Sequence, residues 1–389
     1  FPAYFPTPIQ YFRDPKYRNS AEVARLIGGT SVELSPLNGL NFHSGLNFDW
    51  KSNWTNFYKP STISSGSYAV LTPSFPNPNP VQIQSNHSEL RGINYTWDNI
   101  LTYRTQIGKD QLLTLLGGYS VQKVTGESNS VNGQNGSFSN DLVQYVSGAS
   151  VINGNASKQE WSLISYFGRI NYSYHDKYLL AASVRRDGSS RFSPNNKYAI
   201  FPAVSAAWVL SEESFLQNSR VISNLKLRGS YGLTGNFNIG NYAFISLLTN
   251  DNYVFGGGTG NLVSGLAPGN LNNNDLSWEV NSQIDAGLEL GLLNEAISMN
   301  IDWYKRRTKD LLFSRKVPSI TGFTSYLGNI GDIENTGMEA AVNVKAVDKT
   351  LKLNFGVNIT LNRNKVMKLG ENNAPIFTNI LSGTIKTEV

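Results

Sequence analysis

The sequence predicts an all-β chain whose antiparallel strands form a partial wall of a transmembrane β-barrel. Three observations lead to this fold class: a two-residue hydrophobic period, connections that alternate between short and long, and many aromatic and turn-forming residues. Because successive side chains of a strand point to opposite faces, a two-residue period separates an apolar face from a polar one. An outer-membrane barrel needs such strands, since one face meets lipid and the other meets the interior.

The two-residue period is clearest in the middle of the chain, where Tyr166 and Ile170 alternate with Ser165 and Arg169. The same pattern recurs from residue 22 to residue 362. It predicts about twelve strands, at roughly 22–34, 40–58, 90–106, 111–122, 161–174, 178–187, 199–210, 225–235, 278–290, 296–305, 337–346 and 351–362. Most are close to the ~9 to 11 residues that a tilted strand needs to cross a bilayer, and some are longer.

The predicted connections alternate strictly in length. Short ones are expected near 35–39, 107–110, 175–177, 291–295 and 347–350, with a medium one at 211–224. Long ones rich in Asn, Gly, Ser and Pro are expected at 59–89, 123–160, 188–198, 236–277 and 306–336. Outer-membrane barrels have short periplasmic turns and long extracellular loops, whereas a sandwich or a propeller gives no reason for the alternation.

Aromatic side chains fall near the expected strand ends, as the interfacial girdles of a barrel require. Tyr174 and Tyr178 flank one short turn, and we expect Trp278 and Trp303 at the ends next to long connections. The alternative at this stage is a soluble sheet in which the aromatic side chains form a core.

The composition excludes several other classes of protein. The 389 residues include 19 Phe, 19 Tyr and 7 Trp, and charged residues make up only 16%, below the roughly 25% of an average soluble domain. With no cysteine, disulfides and cysteine-based metal sites are excluded, and His43, His87 and His175 are too dispersed to suggest a metal cluster. The net charge is +5, but the longest basic run is Lys305–Arg307, so we expect no nucleic-acid partner.

Catalytic and cofactor motifs are not recognisable, so we expect neither an enzyme nor a bound cofactor. No Gly-x-Ser-x-Gly elbow is present, and the glycine run 256–260 lacks the Lys-Ser/Thr ending of a phosphate loop. The segment 272–275, Asn-Asn-Asn-Asp, has oxygen ligands suited to calcium. A turn is the more economical interpretation of that segment.

A set of motifs in a fixed order resembles one family. They are Arg-Arg-Asp-Gly-Ser-Ser-Arg-Phe at 185–192, Leu-Lys-Leu-Arg-Gly-Ser-Tyr-Gly at 225–232, Leu-Ser-Trp-Glu at 276–279, Asp-Trp-Tyr at 302–304, Asn-Ile-Gly at 329–331 and Asn-Thr-Gly-Met-Glu at 335–339. Together they resemble the SusC/RagA family of TonB-dependent outer-membrane transporters over at least residues 161–370.

The resemblance implies a barrel of about 22 strands, of which this chain supplies about 12, in the outer membrane of a Gram-negative bacterium. It also implies a plug domain in the lumen, energy coupling through TonB, a SusD-like surface lipoprotein over the mouth, and an oligosaccharide or peptide as substrate. Residues 1–389 are then expected to be part of the barrel domain, with the plug and the C-terminal strands outside this sequence.

Candidate substrate contacts follow from the predicted faces and loops. Arg169, Arg185 and Asp187 should face the lumen near its extracellular end, where they would hydrogen-bond a polar substrate or pair with one another. The acidic lumen residues present the same two alternatives; they are Glu279, Asp285, Glu289 and Asp302. Four loop aromatic residues are expected to contact substrate or lid protein: Tyr68, Phe75, Tyr253 and Phe255.

Three functions are compatible with these expectations. The first is a SusC-like importer of a glycan or peptide. The second is a SusC-like barrel that serves as a non-transporting structural subunit of a larger outer-membrane assembly. The third is a soluble or surface β-rich binding protein.

Overall fold

The structure, a computed structural model, describes residues 14–63, 83–255, 261–348, 352–370, 377–379 and 386–388. Its strands, in chain order, are β1 Arg18–Leu37, β2 Leu40–Lys59, β3 Gln84–Ile107, β4 Gln111–Gly133, β5 Ile152–Tyr174, β6 Tyr178–Ser189, β7 Tyr198–Val209, β8 Ile222–Asn236, β9 Leu248–Asn250, β10 Tyr253–Phe255, β11 Asn261–Val263, β12 Leu266–Pro268, β13 Glu279–Leu292, β14 Ile297–Lys309, β15 Leu312–Lys316, β16 Ser325–Asn329, β17 Asp332–Asp348, β18 Lys352–Lys368, β19 Phe377–Asn379 and β20 Lys386–Glu388. Tyr68, Phe75 and the glycine run 256–260 lie outside the described residues.

Twelve strands form one sheet, in the order β1-β2-β3-β4-β5-β6-β7-β8-β13-β14-β17-β18. Each strand pairs with its neighbours along the chain, with small hairpins inserted between them. The pairings recorded for β5 to β8, β13, β14, β17 and β18 are antiparallel. The twelve strands predicted from the sequence are therefore confirmed. Several extend beyond the expected bounds: β3, for example, has 24 residues.

The helical segments in the described residues are short 3-10 turns such as Val146–Gly148 and Leu210–Glu212. No described helix is long and apolar enough to span a membrane.

Backbone contacts divide the chain into two compact units. Unit 1 comprises 1–30, 45–97 and 122–161, and unit 2 comprises 31–44, 98–121 and 162–389. The buried apolar cluster of unit 1 consists of Tyr58, Ile83, Phe138 and Ala149. That of unit 2 consists of Phe192, Phe201, Ile239, Leu276 and Trp278. Both clusters lie at or next to long connections, so the apolar cores hold loops in place.

The apolar rows of the sheet remain open to the surroundings. Cross-strand neighbours such as Leu180 and Ala206 share a face, as do Ile301 and Leu288. On that face Ile200 is 58% exposed, Val204 55% and Phe355 56%. A soluble two-layer sheet would bury these side chains against a second layer. An apolar face left open instead suits contact with lipid.

The apolar face of the sheet, called the outer face below, becomes charged toward the long connections. In unit 2, the apolar row that includes Trp303 gives way on β14 to Lys305 and Arg307. These side chains pair with Glu334 (3.1 Å) and Asp332 (2.8 Å) of β17. In unit 1, the same change brings ion pairs of Lys123 with Glu160 (3.2 Å) and of Lys158 with Glu127 (3.1 Å). Charged pairs are costly in hydrocarbon, so these residues mark where the strands leave the apolar layer.

Tight turns close the short connections of unit 2. His175 and Asp176, between β5 and β6, both have positive φ angles of 51° and 55°, and the Ser173 hydroxyl donates to Asp176 (2.9 Å). Gly39, between β1 and β2, has a φ of 80°, and a Cβ there would lie 2.0 Å from the Arg104 carbonyl oxygen. Glycine is needed at that position for both reasons.

The alternation of connection lengths has one exception. The connection 190–197, at the end of the strands where the others are long, is shorter than 210–221, at the opposite end. The prediction of strict alternation is therefore wrong there. The longer segment contains the turn Leu210–Glu212 and a second turn closed by Leu216 N–H donating to the Glu213 carbonyl (2.9 Å).

An aromatic row flanks the short turns of unit 2, as expected. Tyr174, Tyr178 and Trp208 are stacked, with 6.2 Å between successive ring centroids. The Tyr178 hydroxyl (2.7 Å) and the Trp208 indole N–H (3.0 Å) both donate to Glu213. These hydrogen bonds, with that of Tyr178 the larger cause, lower the pKa of Glu213, which lies in the connection outside the strands. Such a row suits the interface, where rings meet lipid and their polar groups meet water.

Trp278 does not belong to a girdle. It is 4% exposed and packs against Phe192, Phe201 and Phe237, with ring centroids 5.2 to 5.5 Å away. Its indole N–H donates to the Lys197 carbonyl (3.1 Å). The interfacial position expected for Trp278 is wrong, because the loops on either side fold over this side chain.

Candidate functional site

Arg185 and Asp187 form the centre of a polar cluster on the inner face of β5 and β6. The Arg185 Nε donates to both carboxylate oxygens of Asp187 (2.7 and 2.8 Å), and its Nη2 donates to the Ser165 hydroxyl (2.8 Å). Ser165 lies directly opposite Asp187 in the strand register. Asp187 is 8% exposed and Ser165 1%, whereas the Arg185 side chain is 45% exposed. The carboxylate therefore fixes the guanidinium, and the guanidinium faces open space.

Phe167 supports this arginine from the neighbouring strand. Its ring centroid lies 5.6 Å from the Arg185 guanidinium carbon, close enough for a cation–π contact. The ring occupies space left by Gly118 on β4, where a Cβ would come within 2.2 Å of it. The absence of a side chain at residue 118 thus permits the support that Phe167 gives Arg185.

Arg169 lies on the same face but outside this cluster. It is opposite Ser183, two residues along the strand from the pair of Phe167 and Arg185. Its Nε donates to Asn171 (2.8 Å). The structure therefore brings together two of the three predicted residues, Arg185 and Asp187.

A second charged group crosses the inner face of β8, β13 and β14. Arg228 reaches over Gly287 to Asp302 (2.6 Å) and also contacts Glu289 (3.2 Å), which in turn contacts Lys226 (3.4 Å). A Cβ at Gly287 would lie 2.4 Å from an Asp302 carboxylate oxygen, so the bridge needs glycine there. Glu289 and Asp302 of the inner face thus pair with basic side chains. The contributions of Lys226 and Arg228 were visible in the alternation of β8 but were not singled out from the sequence.

Asp285 and Glu279, the other two acidic residues singled out from the sequence on this face, accept hydrogen bonds from neutral groups. Asp285 accepts from Ser230 (3.0 Å) and Gln283 (2.8 Å). Glu279 accepts from Asn236 (3.4 Å) and from the backbone N–H of Leu312 (3.3 Å).

Next to the Arg228 bridge, the inner face has a concavity of about 380 Å³ lined mainly by small and polar residues. Ala181, Ser205 and Ser230 lie side by side on β6, β7 and β8, and Asn171 and Asp285 also line it. Short side chains make room for a polar group that the wall can hydrogen-bond.

The long connections of unit 2 are tied together above the strands. Asn329 and Ser277 exchange two hydrogen bonds of 2.8 Å. Arg191 donates to Asn241 (2.9 Å), and burial lowers the pKa of its guanidinium. Asn273, 7% exposed, donates to the Leu327 carbonyl (2.8 Å). The segment 272–275 therefore serves as a link between loops, and no described cluster of three acidic or histidine side chains is arranged to hold a metal.

Tyr253 and Phe255 lie on β10, a short strand paired with β11 within the connection 237–278. Their rings meet edge to face at 4.8 Å and are 64% and 62% exposed. Of the four loop aromatic residues predicted to contact substrate or lid protein, the structure describes Tyr253 and Phe255. These two form one exposed pair, on a connection separate from the cluster around Arg185.

The two-faced antiparallel sheet defines this chain as part of an outer-membrane β-barrel. The profile described as "TonB dependent receptor-like, beta-barrel" matches residues 3–381, and the chain belongs to that family.

Individual relatives place it within the SusC/RagA group, as the sequence motifs predicted. TonB-dependent receptor SusC of Bacteroides thetaiotaomicron is 42% identical over 215 residues, covering 54% of this chain and 21% of that receptor. TonB-dependent receptor P3 of Formosa agariphila is 34% identical over 337 residues, covering 86% of this chain and 32% of that receptor. Among solved structures, the RagAB peptide transporter aligns with a TM-score of 0.79 at 27% identity, covering 91% of this chain and 38% of the matched one.

This chain thus spans between 21% and 38% of the length of these three relatives. The family consists of outer-membrane transporters and receptors rather than enzymes.

Proposed function

We propose that this chain is the barrel wall of a SusC-like importer that moves an oligosaccharide or a peptide across the outer membrane with energy supplied through TonB. The observation that carries the proposal is the membership in the TonB-dependent receptor family over nearly the whole chain. The wall contributes by excluding lipid on one face and offering fixed polar groups on the other. It catalyses no covalent chemistry.

The partners in this proposal are a SusD-like surface lipoprotein at the extracellular mouth and TonB at the periplasmic side. A solved structure of a similar chain is described as the RagAB peptide transporter, and the SusC relative is described as a TonB-dependent receptor, which supports TonB as a partner. The exposed pair of Tyr253 and Phe255 suits contact with a lid protein or with substrate, and Tyr68 and Phe75 are proposed for the same role.

Within the lumen we propose Arg185 as a substrate contact, with Asp187 orienting it and Arg169 as a second, more mobile cation. A guanidinium held at its Nε by a buried carboxylate loses little conformational entropy on binding, and its remaining N–H groups match sugar hydroxyls or a peptide carboxylate.

Uptake by intact cells tests the proposal. Cells that produce the full-length protein are given fluorescent oligosaccharides and oligopeptides, with and without a functional TonB. We expect one substrate class to accumulate only when TonB is present. Equal accumulation in both strains would contradict energy-coupled import. No accumulation of either class, with normal assembly in the membrane, would favour a structural subunit.

A further inference from the structure

Unit 1 contains a pocket, separate from the lumen cluster, whose lining combines apolar surface with several polar side chains. It has a volume of about 360 Å³ and lies where β1 begins, β2 ends and β3 begins, beside the connection between β4 and β5. Its lining includes Arg18, Asn56, His87, Gln144 and Tyr145. The volume is at the lower end of the range of about 300–1,000 Å³ for ligand pockets. The pocket is at the end of the strands with long connections, which in outer-membrane barrels faces the exterior.

Arg18 is available to a ligand. Its guanidinium carbon lies 5.5 Å from the centroid of the Tyr145 ring, and the residue is exposed. Among the ion pairs of the described residues, none includes Arg18. By contrast Arg25, on the same strand, is held by Asp49 through two bonds of 2.7 and 2.8 Å. A guanidinium that packs on a ring through its face keeps the N–H donors at its edge accessible. Two of these donors match the two oxygens of a carboxylate.

The other polar groups supply both donors and acceptors. His87 Nδ1 lies 2.7 Å from Asn56 Oδ1. Because an amide oxygen only accepts, Nδ1 carries the hydrogen in this arrangement, and the Nε2 of the neutral ring is an acceptor. The Asn56 amide NH₂ and the Gln144 side chain add further donors and an acceptor. Hydroxyl groups that both donate and accept fit such a mixed lining.

The connection that carries Tyr145 is held in place before any ligand binds. Asp141 accepts hydrogen bonds from the Tyr58 hydroxyl (2.7 Å) and from the backbone N–H of Ser61 (3.0 Å). The turn at Val146–Gly148 is closed by Gly148 N–H donating to the Tyr145 carbonyl (2.9 Å). Tyr145 is nevertheless 62% exposed. An aromatic side chain on a fixed backbone is a suitable platform for a sugar ring.

We propose that this pocket binds a sugar unit that bears a carboxylate, with Arg18 holding the carboxylate, Tyr145 contacting the ring, and Asn56, His87 and Gln144 hydrogen-bonding its hydroxyls. The sugar comes either from a soluble acidic glycan or from an acidic glycolipid of the cell's own surface, since both present the same chemistry. The proposal goes beyond import and does not depend on it.

Equilibrium binding to the detergent-purified full-length protein tests the proposal. The soluble probes are trigalacturonate, the neutral trisaccharide maltotriose and the acidic peptide triglutamate. We expect trigalacturonate to bind more tightly than the other two. Arg18→Gln should weaken its binding about tenfold or more, since a charge-assisted hydrogen bond is lost. Arg25→Gln is the matched control and should leave the affinity unchanged, because its guanidinium is already paired.

Two further variants distinguish loss of contact from loss of folding. Arg18→Lys keeps the charge but not the paired donors, and we expect an intermediate affinity. Tyr145→Ala should weaken trigalacturonate binding while leaving the heat-modifiable gel mobility of the folded barrel unchanged. Equal effects of Arg18→Gln and Arg25→Gln, or triglutamate binding as tightly as trigalacturonate, would overturn the proposal. So would the absence of trigalacturonate binding together with no glycolipid retained by the unsubstituted protein.

The source of the sugar is determined by a second arm. Native mass spectrometry of the purified protein shows whether an acidic glycolipid is retained and whether Arg18→Gln releases it. Retention that depends on Arg18 assigns the pocket to the cell surface. Binding of trigalacturonate without retained glycolipid assigns it to a soluble glycan. Because import is measured separately in cells, normal uptake by Arg18→Gln would leave the proposed function intact.

Discussion

At the scale of single residues, the charged clusters of the inner face consist of side chains that pair with one another. Asp187 is buried beside Ser165 and accepts two hydrogen bonds from Arg185. Arg228 reaches across Gly287 to Asp302. Such pairs keep the wall polar while balancing opposite charges on the same face of the sheet. In the pair of Arg185 and Asp187 the arginine is the exposed member and the carboxylate is buried, which is why Arg185 is the member proposed as a substrate contact.

Replacing Asp187 with Ala should destabilise the barrel by about 1–3 kcal/mol, because the Arg185 guanidinium loses the carboxylate to which its Nε donates. The measurement is the midpoint of urea-induced unfolding in detergent, followed by gel mobility. Glu22→Ala on the exposed surface of β1 is the matched control and should change the midpoint little. Equal midpoints for the two variants would contradict a structural role for Asp187.

Asp141 gives a pH-dependent prediction. Burial opposes its ionisation, but hydrogen bonds from Ser61 and Tyr58 prevail and hold its pKa below the ordinary value of 3.8. A carboxyl group whose pKa is lower in the folded state stabilises that state above its ordinary pKa, and this contribution is lost as the pH falls below it. Residues 134–151 should therefore loosen selectively as the pH falls below about 4.

Hydrogen exchange of residues 134–151, corrected for its intrinsic pH dependence, measures this loosening. Asp141→Asn cannot titrate but still accepts hydrogen bonds from Tyr58 and Ser61, so its exchange should change less with pH. If the variant and the unsubstituted protein respond equally, the carboxylate is not the source of the effect.

At the scale of strands, residues that are paired across neighbouring strands lie on the same face of the sheet, as the alternation of apolar and polar residues predicts. Ile301 lies between Leu288 and Ala340, and Asn300 lies between Glu289 and Ala341 on the opposite face. The apolar band is shorter than the strands: on β14 it ends before Lys305, where ion pairs with β17 begin. The strand ends beyond this point are long enough to support loops outside the membrane.

Ile301→Arg should impair assembly, because an arginine facing mid-membrane lipid costs about 2–4 kcal/mol. Val342→Arg, on the neighbouring strand and the same face, should behave similarly. Asn300→Arg and Asn343→Arg are the matched controls on the inner face and should be tolerated better. The amount of folded, heat-modifiable protein in the outer membrane is the readout, and equal losses on the two faces would refute the facing assignment.

At the scale of the whole molecule, the family membership makes the chain part of an outer-membrane β-barrel of the TonB-dependent receptor type. Its apolar side chains remain exposed in long rows, including Val357 (61%) and Leu361 (64%) on β18. A water-soluble protein rarely exposes contiguous apolar surface of this kind. Such rows suit contact with the hydrocarbon of a lipid bilayer.

Fractionation of cells tests this conclusion. The full-length protein should remain in the outer-membrane pellet after washes with high salt and with sodium carbonate, and should be released by detergent. A SusD-like lipoprotein in the same cells is the internal control for membrane recovery. Release of the full-length protein by the salt wash alone would contradict a membrane-spanning wall.

The sequence by itself determines the strands of this protein and which way they face. Alternation is a local property, since each side chain points opposite to its neighbour, and the polar or apolar character of each residue then assigns the face. The approximate bounds of β2 and the face on which Arg185 lies could be predicted from the sequence for this reason. The family motifs were also readable without coordinates.

Only the tertiary structure decided how the long connections fold. Trp278 is buried by Phe192, which comes from another connection, and by Phe237, which lies at the opposite end of its own connection, so its place depends on contacts far apart in sequence. Likewise Arg18 and Tyr145 are 127 positions apart and meet in one pocket. Local periodicity does not predict such long-range contacts, because they depend on the packing of loops whose backbones follow no repeating pattern.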